Sequence, residues 1–214
     1  MSIRAVIFDF GNVVCLSPTE EQWTEAAQFC DVDVAEFKRV FWLTRDDYDR
    51  GEDPASYWLN FARISGQAFD DATITGLVRR EIVFWSNFDT RVLAWTDELR
   101  ATGIRTGLLS NLPLPLAEAL RAAPGFLDHF DQVTFSCEFG FIKPHPEIYR
   151  KAIEELQIAP AEGLFIDDRP QNIEGALAVG LRVELFTTWE DFCKQDLSRY
   201  GLPEPPLVGL LQSG

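Results

Sequence analysis

The sequence predicts an α/β protein: a Rossmann-like parallel sheet with a helical cap inserted after the first strand. Three observations carry that expectation. Short apolar runs alternate with helical patterns through most of the chain, the signature of parallel strands with helices on both faces. Each main run stops abruptly at a polar or acidic residue. The interval between residues 15 and 89 breaks the alternation, showing helical periodicity and no convincing strand.

Residues 4–8, with Ala-Val-Ile-Phe at their heart, end in Asp9-Phe-Gly-Asn and read as a buried strand followed by a tight loop. Similar units follow: 104–109 runs into Ser110-Asn111, 132–135 into Ser136, 163–166 into Asp167-Asp168, and 181–186 into Thr187-Thr188. Helical patterns at 91–102, 113–122, 146–156 and 171–179 separate them. The inserted interval carries amphipathic stretches near 20–30, 34–43, 54–65 and 71–85, dense in aromatics such as Trp23, Phe41, Trp58 and Trp85. It reads as a helical subdomain with its own small core, placed above the strand ends as a lid. The expected organisation is therefore a core of residues 1–14 and 90–200, a cap of 15–89, and a Pro-rich tail of 201–214 that packs along the surface or is loosely ordered.

With 214 residues, 46% apolar and 25% charged, the chain can bury a core and is not disordered by composition. No run approaches the roughly 18 to 20 apolar residues of a membrane span. The N-terminus lacks the long apolar stretch of a signal peptide, so a cytoplasmic location is expected. Four cysteines are scattered without a C-x-x-C pair and read as reduced thiols; with only two histidines, a zinc site is not expected. The formal charge of −15 repels nucleic acid. It also means that any phosphate site must create its own local positive potential.

In open parallel sheets, ligands bind beyond the carboxyl ends of the strands. The ends here carry a carboxylate (Asp9), a hydroxyl beside an amide (Ser110, Asn111) and an acidic pair (Asp167, Asp168). Lys143 lies in the loop Gly140-Phe-Ile-Lys-Pro-His-Pro just before a helical pattern. Together these are the equipment for phosphoryl transfer through an aspartyl-phosphate. Each alone has a plain alternative: Asp9 capping a loop, Ser110-Asn111 as a turn, Asp167-Asp168 as a helix cap, Lys143 as a solvated surface residue. His145 reads as a residue at the start of a helix rather than a catalyst.

The order and context of these residues resemble the haloacid dehalogenase-like hydrolase superfamily. Four segments carry the resemblance: Val-Ile-Phe-Asp9-Phe-Gly-Asn-Val, Gly-Leu-Leu-Ser110-Asn, Phe-Gly-Phe-Ile-Lys143-Pro-His-Pro-Glu-Ile-Tyr, and Leu-Phe-Ile-Asp167-Asp168-Arg-Pro-Gln-Asn172-Ile. The Asp-Phe-Gly-Asn form is most similar to the subgroup of glucose-1-phosphate phosphatase and the N-terminal phosphatase domain of soluble epoxide hydrolase. The resemblance implies Asp9 as nucleophile and as a Mg²⁺ ligand, joined by the Gly11 carbonyl and Asp168, with Asp167 as a further ligand or its supporting neighbour. It implies that Ser110, the Asn111 backbone and Lys143 hold the transferring phosphoryl group, and that the substrate is a small phosphorylated metabolite, with a sugar phosphate as the candidate.

One position departs from the pattern. Most phosphatases of the superfamily carry a second aspartate two residues after the nucleophile, as general acid for the leaving oxygen; here that residue is Gly11. A positioned acid contributes typically about 10² to 10⁴ in rate. The resembled subgroup also has members with glycine here, so either a lid residue substitutes or the leaving group departs unaided. Candidates in the polar run 44–51 are Asp46, Asp47, Tyr48 and Asp49. The alternatives are a metal-independent 2-haloacid dehalogenase, which uses the same first aspartate, and a degenerate binding module. Oligomeric state is left open.

Overall fold

The computed structural model describes residues 2–206. Five strands, β1 (Ala5–Phe8), β2 (Arg105–Ser110), β3 (Gln132–Phe135), β4 (Gly163–Asp167) and β5 (Arg182–Leu185), form one sheet in the order β3-β2-β1-β4-β5. Every neighbouring pair is parallel, with Phe8 beside Leu108 on one side and Ile166 on the other. Successive residues of a strand point to opposite faces. Val6, Phe8, Leu108, Leu164 and Ile166 accordingly enter one apolar cluster, while Ala5, Ile7, Leu109 and Phe165 enter a second. A strand buried on both faces has no polar side, which is why the strands read as continuous apolar runs.

The helices of this scaffold are α6 (Thr90–Ala101), α7 (Leu114–Ala122), α8 (Pro146–Glu155), α9 (Pro170–Ala178) and α10 (Trp189–Phe192), counted after five inserted ones. Trp95 of α6, Leu116 of α7 and Trp189 of α10 cover the first face; Tyr149 of α8 and Ala176 of α9 cover the second. The chain runs outward from β1 to β3 and then returns to place β4 on β1's other side. β1 is thus where the strand order reverses, and the crevice beyond its carboxyl end is where such sheets bind ligands.

Between β1 and α6 lie α1 (Glu20–Phe29), α2 (Val34–Leu43), α3 (Arg45–Asp49), α4 (Pro54–Ser65) and α5 (Asp71–Phe84). Their starts are chemically marked. Thr19 and Gln22 form a reciprocal capping box on α1, and the side chains of Asp33, Asp53 and Asp70 accept from the first-turn amides of α2, α4 and α5. α3 is absent from the sequence expectation. It is five residues long, and its buried face is Arg45, Tyr48 and Asp49 rather than an apolar stripe.

The aromatics of the insertion are mostly core. Phe37 meets Phe61 at 5.0 Å, Trp23 meets Phe84 at 4.7 Å, and Tyr48 stacks on Tyr57 at 4.1 Å. This core is not separate, as the sequence suggested. It is continuous with the cluster on the first face of the sheet, running through Phe10, Phe88 and Phe126. All four cysteines are free thiols. Residues 202–206 pack along the surface, where Trp95 Nε1 donates to the Pro203 carbonyl (3.1 Å) and Trp189 Nε1 to that of Pro206 (3.2 Å). The rest of the predicted tail, 207–214, lies outside the described residues. Among the described residues no helix is long and apolar enough to cross a membrane.

α9 approaches the loop holding Lys143 so closely that a Cβ at Gly175 would lie 2.7 Å from the Pro144 carbonyl oxygen and 3.0 Å from Tyr149 Oη. Alanine gains up to about 1 kcal/mol in helix propensity, but overpacking costs about 1–3 kcal/mol. Gly175→Ala is therefore expected to lower the urea midpoint; a raised midpoint would contradict this packing.

Candidate active site

Asp9 follows the last residue of β1, and its backbone N–H donates to the Ile166 carbonyl of β4 at 2.9 Å. That bond extends the ladder one residue and fixes the carboxylate at the sheet's edge. The side chain is buried, and its Oδ1 accepts from the Phe10 amide at 2.6 Å. Lys143, itself only 3% exposed, places Nζ 2.6 Å from Asp9 Oδ1 and 2.8 Å from Asp167 Oδ2, and donates to the Leu109 carbonyl at 3.1 Å.

Lys143 is held there by its backbone. Its N–H donates to Asn111 Oδ1 at 2.7 Å, and its carbonyl accepts from Asn111 Nδ2 at 3.0 Å. The Asn111 side chain, one residue past β2, is thus committed to the lysine loop and is not available to a ligand. Ser110 is nearly buried at the same edge, and its hydroxyl makes only a long 3.5 Å contact with the Asn111 carbonyl.

The acidic pair divides. Asp167 is fully buried: Oδ2 meets Lys143, Oδ1 accepts from the Arg169 amide at 2.8 Å, and Asn172 Nδ2 lies 3.0 Å from both oxygens. Asp168 is partly exposed, faces the pocket, and accepts from Asn12 Nδ2 at 2.8 Å. Asn12 has φ +62°, a left-handed conformation asparagine tolerates better than most residues, and Ser17 Oγ donates to its Oδ1 at 2.5 Å. Neither Asn12 nor Asn172 is among the site residues expected from sequence. The αL turn after Gly11 is the signal that could have marked Asn12.

Carboxylate oxygens of Asp9, Asp167 and Asp168 lie within 4.8 Å of one another. Gly11 lines the same pocket, and among the described residues no protein donor reaches its carbonyl. Three acids facing one ammonium leave an excess of negative charge. Burial pushes the Asp9 carboxyl up to about 8, with Lys143 opposing the rise and Asp167 adding to it; burial also raises Asp168. Burial works to lower the Lys143 value, but Asp167 and Asp9 outweigh it, so the ammonium stays charged. An all-oxygen donor set with surplus negative charge fits a hard divalent cation such as Mg²⁺.

The pocket opens to solvent. Its floor is the cluster just described; its upper wall comes from Trp42, Arg45, Asp49 and Trp85 of the insertion, facing Leu112 and Leu116. A Cβ at Gly11 would lie 3.3 Å from the Trp85 ring, so the indole covers the position from which the customary acid would extend. His145 stands at the start of α8, exposed, and does not line this pocket.

Residues 3–180 match the family model described as haloacid dehalogenase-like hydrolase. A phosphatase of Mycobacterium tuberculosis is 30% identical over 199 residues, covering 86% of this chain and 88% of that protein. A sesquiterpene phosphatase of Aspergillus oryzae is 31% identical over 93 residues; the match covers 44% of this chain and 47% of that protein. Among solved structures, a HAD family enzyme of Bacteroides thetaiotaomicron in complex with magnesium and inorganic phosphate has a similar fold. Its TM-score is 0.69 at 22% identity, covering 89% of this chain and 98% of that one.

Removing the ammonium should expose the cost of this cluster. Lys143→Met leaves Asp9 and Asp167 buried without their cation, and breaking a buried pair costs about 3–5 kcal/mol. The penalty accrues only when the carboxylates ionise. Asp9 already has a folded-state value above its ordinary one, so protonation favours the fold. Urea unfolding of metal-free protein is thus expected to show a large loss at pH 8 that shrinks as the pH falls toward 4. A loss independent of pH would contradict it.

Proposed function

The chain belongs to the haloacid dehalogenase-like hydrolase family, and from that premise we propose that it is a Mg²⁺-dependent phosphatase acting through an aspartyl-phosphate at Asp9. The observation that carries this is the buried Lys143 bridging Asp9 and Asp167 beside the pocket-facing Asp168. An ammonium so placed cancels part of the charge that would repel a phosphate dianion; its 2.6 Å contact is with Asp9 Oδ1, and Oδ2 is assigned the attack.

In the proposed cycle that oxygen attacks phosphorus in line with the leaving oxygen. Lys143 Nζ, the Ser110 hydroxyl and the backbone N–H of Asn111 hold the equatorial oxygens. The N-terminus of α7 adds its positive end. Asp9, Asp168 and the Gly11 carbonyl are the ligands for Mg²⁺, which when bound supplies the remaining positive charge. Asp167, its oxygens already engaged, sets the position of Lys143. Water then hydrolyses the aspartyl-phosphate and frees Asp9.

Residues 15–89 serve in this reading as the cap, with 1–14 and 90–200 as the core. Trp42, Arg45, Asp49 and Trp85 close the pocket from above and restrict it to a small phosphorylated metabolite. An indole wall beside a carboxylate and a guanidinium suits a sugar phosphate, with a ring face for the tryptophans and hydroxyls for the charged pair. The reduced thiols accord with action in the cytoplasm.

A phosphometabolite panel with Mg²⁺ tests the activity. Hydrolysis that requires Mg²⁺ and falls to background in Asp9→Asn is the expected outcome, since an amide cannot serve as this nucleophile. Metal-free chloride release from 2-chloropropionate without phosphatase activity would replace the proposal with a dehalogenase. Independently of turnover, Mg²⁺ should raise the Tm of the wild type by more than that of Asp168→Asn.

A further inference from the structure

The proposed cycle leaves the leaving-group oxygen without a proton donor, and the space beside Asp9 where one is customarily placed is crowded. Gly11 lacks a side chain, and the Trp85 ring lies 3.3 Å from where its Cβ would be. A donor supplied by the insertion therefore has to come from elsewhere on the upper wall.

The polar run entering that wall contains four carboxyl or phenol groups, and three point elsewhere. Asp46 and Asp47 are exposed and face Arg50, at 3.9 Å and 2.9 Å. Tyr48 is buried against Tyr57 and does not line the pocket. Asp49 differs on every count. It is 7% exposed, lines the pocket that holds Asp9, and has one oxygen fixed by Arg45 Nε at 2.7 Å. Among the described residues no donor reaches its other oxygen.

Its placement is rigid. The Asp49 carbonyl accepts from Ser136 Oγ at 2.5 Å, and the same hydroxyl accepts from the Leu112 amide at 3.0 Å, tying α3 to the ends of β2 and β3. Two residues on, Gly51 has φ +107° and a backbone so close to Cys137 that a Cβ would lie 2.8 Å from its carbonyl oxygen. The cap backbone is docked on the core at this point. Arg45 is shared with the buried Glu81, so its charge is divided between two acids. Burial pushes the Asp49 carboxyl up to about 6, Arg45 opposing and Glu81 adding.

We propose that Asp49 is the general acid–base of the reaction, replacing from the cap the aspartate absent at Gly11. The assignment rests on the phosphatase reading above. As Asp9 forms its bond to phosphorus and the P–O bond to the leaving group breaks, the Asp49 carboxyl gives its proton to that oxygen, releasing a neutral alcohol. In the second step the Asp49 carboxylate takes a proton from the attacking water. Inorganic phosphate leaves, Asp9 is again a carboxylate, and Asp49 is again protonated.

The test is the dependence on leaving group. An alkyl phosphate needs its alkoxide protonated, whereas p-nitrophenolate leaves without help. Asp49→Asn should lower kcat/KM for an alkyl phosphate about 10²- to 10⁴-fold and for p-nitrophenyl phosphate less than about tenfold, the latter also showing that the variant folds. The wild type gives a second readout independent of any variant: kcat/KM should vary little across aryl and alkyl esters. Equal losses on both esters in Asp49→Asn, a rise in KM with unchanged kcat, or a steep leaving-group dependence in the wild type would each overturn the assignment. If Asp49→Asn fails on the alkyl ester alone while Asp9→Asn is inert on both, both proposals stand. A wild type inert on every ester overturns the phosphatase reading, and Asp49 as its acid with it.

Discussion

A buried ammonium between two buried carboxylates is the constraint on which the carboxyl edge of this sheet depends. Taking Lys143 out of water costs several kcal/mol, recovered only if its donors meet well-placed acceptors. Asp9, Asp167 and the Leu109 carbonyl are those acceptors, contributed by the ends of β1, β4 and β2. Each needs support in turn. Asn111 grips both sides of the Lys143 peptide unit, and Asn172 at the start of α9 bridges the two oxygens of Asp167. Tyr149 donates to the Asn172 carbonyl at 2.8 Å, carrying the network into the apolar cluster under the second face. Chemistry at the edge and packing below it are one structure.

Much of this was legible in the residues. The strands announce themselves as short apolar runs because both faces of the sheet are covered, and their stops mark the edge because polar groups are tolerated only there. The helices of the insertion carry caps and periodicity, so their bounds fall within a residue or so of expectation. What stayed hidden was hidden for physical reasons. α3 has no apolar stripe, since its inward face is a charged pair satisfied by Glu81 across the insertion, and no single stretch of sequence records such a partner. Asn111 was expected to serve phosphate through its backbone N–H; that its side chain grips a backbone 32 residues away is a tertiary contact no local stretch records. The choice between Asp167 and Asp168 depends on which one meets Lys143, a fact of tertiary geometry.

The cap's aromatic density was ambiguous between a ligand wall and a core, and the structure divides it. Trp23, Phe37, Phe41, Tyr57, Trp58 and Phe61 pack on one another, whereas Trp42 and Trp85 reach the pocket. Trp85 has a double part: it lines the pocket and fills the room left by the missing side chain at Gly11. An acid at position 11 would require the indole to shift by a few tenths of an ångström.

The continuity of the apolar cluster from the insertion to the sheet has a consequence for how such an enzyme can diversify. Where a cap has its own sealed core, it can be exchanged as a cartridge, and new selectivity arrives without disturbing the scaffold. Here Phe10, immediately after Asp9, packs in the same cluster as Phe84 and Trp85 of the insertion. A change that reshapes the pocket's upper wall is transmitted to the packing that seats Asp9. Selectivity and foldedness draw on the same side chains, so a lineage exploring new substrates would advance by small compensated steps in this cluster rather than by swapping the cap whole.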